Sequence, residues 1–255
     1  MQALSVVIIT YNEEKNIARC IESVREVADE ILVVDSFSTD ATERICKGCG
    51  ATFVQHAFEG HIEQKNFALS LAQHDCILSL DADEALSPEL SAGIAAVKNN
   101  RQHDGYAFNR LTSYCSQWIR HCGWYPDPKV RLFDRRKASW GGVNPHDKII
   151  MASGSTTRHI PGDLLHYTFN SVAEHILQIN KFSEIKAEGL FRKGEKVSLL
   201  RMGLEPLFKF FKNYVLKAGF LDGWYGLIIS VNSAHATFLR YAKLYEKNRA
   251  ARNTQ

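Results

Sequence analysis

Apolar, β-branched runs, each followed by a helix-period stretch, constrain this chain more than anything else in it. LSVVIIT (4–10), EILVVDS (30–36) and CILSL (76–80) read as strands of nearly continuous hydrophobic content, and ATFVQH (51–56) adds another. After the first strand, EEKNIARCIESVREVA places Ile17, Ile21, Val24 and Ala28 at helical spacing. TDATERICKGCG reads as a short helix opening near Asp40 and closing at Gly48 or Gly50, and IEQKNFALSLAQH supplies a third. Ser87-Pro88 opens a fourth, with Leu90, Ile94 and Val97 inward. Strands buried on both faces and separated by helices make a parallel sheet, so the expected fold is α/β with a mainly parallel, Rossmann-like sheet flanked by helices. Residues 100–170 change character. YAFNRLTSYC, KVRLFDRR and KASWGGV read as shorter strands, a small antiparallel edge on that sheet. The chain then turns helical, which divides it into an α/β domain, 1–170, and a basic helical region, 171–255.

In an open parallel sheet, ligands bind outside the carboxyl ends of the strands. Three strands here end in polar clusters: Thr10-Tyr11-Asn12-Glu13, Asp35-Ser36 and Asp81-Ala82-Asp83-Glu84. Strand ends carry turn-forming Asp and Ser by default, so one cluster says little, but three on one rim mark a cleft. Carboxylates a few ångströms apart repel by about 1 kcal/mol in water and several times that in a partly dry cleft. The last cluster therefore needs solvent or a cation. GxGxxG and GxxxxGK[ST] are absent, so no glycine loop cradles a phosphate. Mg²⁺ or Mn²⁺ binds one or two carboxylates plus diphosphate oxygens, which gives the crowded acids a reason to exist.

LSVVIITYNEEKNI, VVDSFSTDAT, QKNFAL and LDADEAL, in that order, resemble the motifs of the family 2 inverting glycosyltransferases, which have the GT-A fold. The usual second-strand motif is close to VDDGSTDGT. This chain keeps Asp35, Ser38, Thr39 and Asp40 but has Ser36-Phe37 where Asp-Gly is common, and Gln64-Lys65-Asn66-Phe67-Ala68 where ARNxG is usual. The matches span residues 4–90, with weaker agreement to 150. The resemblance implies that Thr10, Tyr11, Glu13 and Asp35 contact the nucleotide, Asp35 at the base. It implies that Lys65 lies beside the diphosphate, that Asp83 coordinates Mg²⁺ or Mn²⁺, and that Asp81 reaches the ribose or the metal. Two of these residues have plain alternatives: Glu13 as a complement to a helix N-terminus, Lys65 as part of a solvated helix face. The family's base is an acid in a later motif, often "HE" after a Gly-rich turn. WGGVNPHDKI (140–149) offers His146-Asp147 there, so Asp147 is the expected base, one methylene shorter than Glu, with His146 orienting it or contacting phosphate. Asp127 and Asp134 are lesser candidates. Arg131, in KVRLF, follows the family's habit of a basic residue before the acceptor loop and is expected to hold an anionic group, against the alternative of a surface strand arginine. Trp124 and Trp140 read as a sugar platform or, more commonly, as core aromatics.

The net charge of +3 conceals an asymmetry: residues 1–180 carry 17 Lys+Arg against 22 Asp+Glu, and residues 181–255 carry 14 against 6. A basic tail suits an anionic partner. In SLLRMGLEPLFKFFKNYVLK (198–217) lysines alternate with large apolar residues, the pattern of a helix lying on an anionic leaflet or packing on the domain beside it. With GFLDGWYG after it, the segment looks like the subgroup that extends the lipopolysaccharide inner core. That resemblance implies UDP-glucose as donor, a membrane-anchored heptose as acceptor, and a cytoplasmic protein peripheral to the inner membrane. No signal peptide and no spanning helix are expected. Of six cysteines only Cys46-Lys-Gly-Cys49 has metal-like spacing, and without a partner pair it reads as reduced thiols. A sugar-nucleotide pyrophosphorylase would want a basic glycine-rich loop where TYNEE stands. A degenerate transferase acting as a membrane or glycan scaffold is the non-enzymatic alternative, and no nucleic-acid motif is present.

Overall fold

The computed structural model describes residues 2–144 and 146–253, the side chains of 146, 252 and 253 excepted. It forms two compact units, Met1–Leu111 with Pro126–Tyr167, and Thr112–Tyr125 with Thr168–Gln255. The second unit thus takes in a segment from the middle of the chain as well as the helical tail.

The first half of the chain runs β1 (Leu4–Thr10), α1 (Ile17–Val24), β2 (Glu30–Asp35), α2 (Thr42–Gly48), β3 (Thr52–Gln55), α3 (His61–Leu71), β4 (Cys76–Asp81), β5 (Glu84–Leu86) and α4 (Pro88–Asn99). Then follow β6 (Gly105–Tyr114), β7 (Gln117–Ile119), β8 (Pro128–Asp134), β9 (Ala138–Val143), β10 (His146–Met151) and β11 (Thr157–Phe169). Four strands are parallel in the order β3-β2-β1-β4, as the apolar runs require. Their pleat sorts side chains to two cores. Leu4, Val6, Ile8, Val33, Leu78 and Leu80 join Ile17, Ile21, Leu90 and Ile94, while Val7, Leu32, Val34 and Ile77 join Ala68 and Leu69 of α3. Each such side chain, fully buried, contributes about 1.5–3 kcal/mol relative to exposure. Ser87 caps α4 by accepting from Leu90 N at 3.2 Å.

The antiparallel edge begins beyond β4. The sheet continues β4-β8-β6-β11-β5, with β8 antiparallel to β4. KASWGGV leaves that sheet and pairs instead with His146–Met151 as a separate hairpin, β9–β10. The thirteen-residue β11 has no alternating apolar pattern, and its Pro161 and Gly162 read as a turn; its pairing partners, not its composition, make it a strand.

In the second unit Tyr114, Ile119, Cys122, Phe169 and Ile229 form the core, with Trp124 and Tyr225 against it. Trp124 is therefore a core aromatic. Helices α5 (Val172–Arg192), α6 (Leu199–Phe211) and α7 (Gly223–Asn253) build the rest, α6 running through a π-helical turn, Lys212–Leu216, to a 3-10 turn, Gly219–Asp222. The GFLDGWYG segment is a fastening. Asp222 accepts from the backbone N–H groups of Arg120 (3.2 Å) and His121 (2.8 Å) and pairs with His121 Nδ1 at 2.9 Å. A Cβ on Gly226 would lie 1.8 Å from the Gly219 carbonyl oxygen, so only glycine lets the two backbones touch. Among the described residues no helix is long and apolar enough to cross a membrane.

Candidate active site

Strand order reverses between β1 and β4, the place where open α/β sheets bind ligands. The register puts the polar strand ends side by side: Thr10 is opposite Asp35, and Ile9 is opposite Asp81. Thr10 and Asp35 are buried, and among the described residues Thr10 Oγ1 meets no hydrogen-bond partner. Tyr11, by contrast, is exposed beside them.

Two loops above β1 and β2 are stapled by the motif residues themselves. Asp35 accepts from Ser38 N (2.8 Å) and from the Ser38 hydroxyl, whose oxygen accepts from Asn12 N at 2.7 Å; Thr39 N donates to Asn12 Oδ1 at 2.8 Å. Asp40 accepts from Glu14 N, and Ala41 N donates to Glu14 Oε2. Ser38, Thr39 and Asp40 thus hold the loop that carries Tyr11 and Glu13. Phe37 has φ +60, the left-handed region that costs a non-glycine residue roughly 1–2 kcal/mol, which is why glycine is common there. Burial pushes the Glu13 carboxyl up, a hydrogen bond from Asn16 pulls it back, and Asp83, Asp40 and Asp81 add to the rise. Glu13 faces the acidic cluster.

The positive charge that the crowded carboxylates demand is largely supplied by the protein itself. Lys65 Nζ lies 2.9 Å from Asp81 Oδ1 and 2.7 Å from Asp147 Oδ2, its side chain only 4% exposed. Arg131 reaches Asp81 Oδ2 at 3.2 Å and Glu84 Oε1 at 2.9 Å. Both cations rest on the buried Trp140 ring, at 4.2 and 5.0 Å from its centroid. Burial alone would raise the Asp81 carboxyl, but Lys65 and Arg131 overcome it and hold the group well below the ordinary carboxylate range. Lys65 and Arg131 are therefore interior cations, neither on a solvated face, and Trp140 is the floor beneath them.

Asp147 arrives because its hairpin is pinned along α3. Asn66 Nδ2 donates to the Trp140 carbonyl (2.9 Å), and Asn66 Oδ1 accepts from Trp140 N (3.0 Å). Asn144 accepts from Ile62 N at 3.1 Å and donates to Glu63 at 2.8 Å, fixing the hairpin's turn on the start of α3. Gln64 donates to Ser36 Oγ at 3.1 Å, so three successive motif residues tie α3 to the second-strand loop, the acids and the hairpin. The side chain of His146, the expected companion of Asp147, lies outside the described residues. The lesser base candidates are engaged elsewhere. Asp127 pairs with Arg110 and Lys129, and Asp134 pairs with Arg136 opposite Cys76, about 17 Å along the strand from Asp81.

Glu84 was legible only as a member of the acidic cluster, and His166 had no local signal at all. Glu84 is fully buried; it accepts from Asp81 N at 3.0 Å and ties Arg131 in place. His166 is the β11 partner of Glu84, and its Nε2 lies 3.2 Å from Asp83 Oδ2. Only strand pairing across 80 residues brings it there. No group of three His, Cys, Asp or Glu among the described residues is placed to hold a metal alone. A hard cation that keeps positions for diphosphate and water needs fewer protein ligands than that, and the Asp83 carboxylate beside the His166 imidazole fits such a seat.

The family 2 glycosyl transferase profile matches residues 5–153. An uncharacterised glycosyltransferase of Rickettsia typhi is 32% identical over 99% of this chain and 90% of its own length. The lipopolysaccharide core biosynthesis glycosyltransferase LpsC of Rhizobium meliloti is 28% identical over 96% of this chain and 93% of its own. Glucosyl-3-phosphoglycerate synthase of Mycobacterium tuberculosis, solved with Mn²⁺ and UDP-glucose, shares 23% identity at a TM-score of 0.38 over 44% of each chain. The profile covers the rim, the interior cations and Asp147 alike, and with nearly full-length relatives the chain belongs to glycosyl transferase family 2.

Proposed function

We propose that the chain transfers a hexosyl group with inversion, from a UDP-sugar with UDP-glucose as the expected donor, to a hydroxyl of a membrane-anchored glycan, a heptose of the lipopolysaccharide inner core being the expected acceptor. One observation carries the chemistry: Lys65 bridges Asp81 on the donor rim to Asp147 on the hairpin, so a carboxylate is held one side chain away from the donor seat. Asp147 accepts the acceptor hydroxyl's proton as that oxygen bonds to the anomeric carbon, while the bond to the diphosphate breaks on the opposite face. Lys65, 2.7 Å away, orients Asp147. Thr10, Tyr11, Glu13 and Asp35 receive the nucleoside, with the unpartnered Thr10 hydroxyl and the buried Arg131 Nε as spare donors toward an anionic ligand. Asp83 and His166 would hold Mg²⁺ or Mn²⁺, with Asp81 behind them, and such an ion stabilises the departing diphosphate. The acceptor class is supported by the LpsC relative and by the basic apolar tail.

The test is release of UDP from UDP-glucose by the purified chain with Mn²⁺, Mg²⁺ or EDTA. Asp83→Ala should abolish metal-dependent release without loss of thermal stability. Full release in EDTA would defeat the metal seat. UTP formation from UDP-glucose and pyrophosphate would make the chain a pyrophosphorylase, and nucleotide binding without turnover would make it a scaffold.

A further inference from the structure

Helix α6 is built inside out. At 100° per residue Leu200, Leu204, Leu207 and Phe211 fall on one stripe, and all four are exposed, Leu200 by 70% and Leu207 by 67%. The polar contacts lie on the flank toward α7, where Glu205 accepts from Arg201 and from the Tyr241 hydroxyl. The apolar surface continues past the helix. Tyr214 stacks on Phe210 at 5.4 Å and meets Phe220 edge-on at 6.3 Å, and Trp224 follows at the start of α7, 79% exposed. Scattered apolar residues on a surface are ordinary; a continuous band of this length marks a contact.

Charge decides what covers it. Lys212 and Lys217, both exposed, follow Phe211 in the π-helical turn and at its end, in a tail that carries 14 Lys+Arg against 6 Asp+Glu. A two-fold contact with a second copy would set these lysines against themselves. An anionic leaflet satisfies both the band and the charge. We propose that the exposed stripe of α6 and the turns after it form a membrane seat, the apolar side chains entering the acyl boundary of one leaflet while Lys212 and Lys217 meet lipid phosphates. This rests on, and deepens, the reading of the acceptor as lipid-borne: the seat puts the protein on the surface where that acceptor resides.

The full chain is sedimented with vesicles of phosphatidylcholine alone or mixed with phosphatidylglycerol while tryptophan emission is recorded. Binding to the mixed vesicles is expected, with a blue shift that Trp224→Phe removes. Combining Leu200→Ser, Leu207→Ser and Phe211→Ser should lower the partition by roughly tenfold per side chain. Lys212→Glu with Lys217→Glu should reduce binding to the level of phosphatidylcholine alone. UDP release from UDP-glucose in lipid-free solution is the control. Unchanged release with lost vesicle binding isolates the seat, whereas vesicle binding without release leaves the seat standing and removes the transferase reading. Binding to neither vesicle, wild-type binding by the triple serine variant, or a dimer abolished by that variant while vesicles are ignored would overturn the proposal.

Discussion

Replacing Lys65 by Met tests the electrostatic logic of the site most directly. The substitution keeps the side chain's length and apolar stem but removes the charge that lies 2.9 Å from Asp81 and 2.7 Å from Asp147. Breaking a buried ion pair by deleting one partner costs about 3–5 kcal/mol, because the other charge is left uncompensated. Arg131 still reaches Asp81 at 3.2 Å, and Asp147 is 14% exposed, so the lower end, about 3 kcal/mol, applies. For a domain of this size that lowers the unfolding midpoint by about 10 °C at neutral pH. The pH dependence has a definite sign. A carboxyl depressed in the folded state contributes stability above its unfolded value, near pH 4, and loses it as pH falls through the folded value. Without Lys65 the Asp81 carboxyl protonates at higher pH than in the wild type, so the gap between wild type and variant should narrow as pH falls below about 4. Lys65→Arg, which restores the charge usual in the family's motif, should recover most of the loss. Calorimetry of the three proteins at neutral and acid pH decides. A midpoint loss under about 2 °C, or a loss equal at both pH values, would refute the claim that this lysine neutralises the two acids.

Asp147→Asn should cut sugar transfer by about 10²–10⁴ while leaving nucleotide-induced thermal stabilisation intact, and undiminished transfer would remove Asp147 as base. Gly226→Ala drives a Cβ to 1.8 Å from the Gly219 carbonyl and should destabilise the helical unit by about 3 kcal/mol, read as a lower denaturation midpoint. His175 is buried, with Nδ1 3.1 Å from the Tyr114 hydroxyl, and burial lowers it to about 4. Because the unfolded chain takes up that proton at higher pH, stability should fall as pH drops from about 6.5 to about 4, and His175→Gln should flatten this slope in thermal melts.

Much of the site was legible because its residues belong to short motifs at strand ends, where period and position coincide. Thr10, Asp35 and Asp81 had to share a rim once β1, β2 and β4 were parallel neighbours, and the register places them there. Ser38, Thr39 and Asp40 were legible as motif residues but not as staples, since the Asn12 and Glu14 groups they meet belong to another loop.

Local periodicity and strand-end chemistry determined the parallel sheet, the helices over it and the acidic rim, because both are written in contiguous residues. Whether the acids met solvent, metal or protein depended on partners distant in the chain. Lys65 and Arg131 turned inward, His166 came to Asp83 through β11, and KASWGGV left the main sheet to deliver Asp147. Only tertiary structure decides such pairings, because the energy of a buried charge is set by whatever the fold brings within a few ångströms of it.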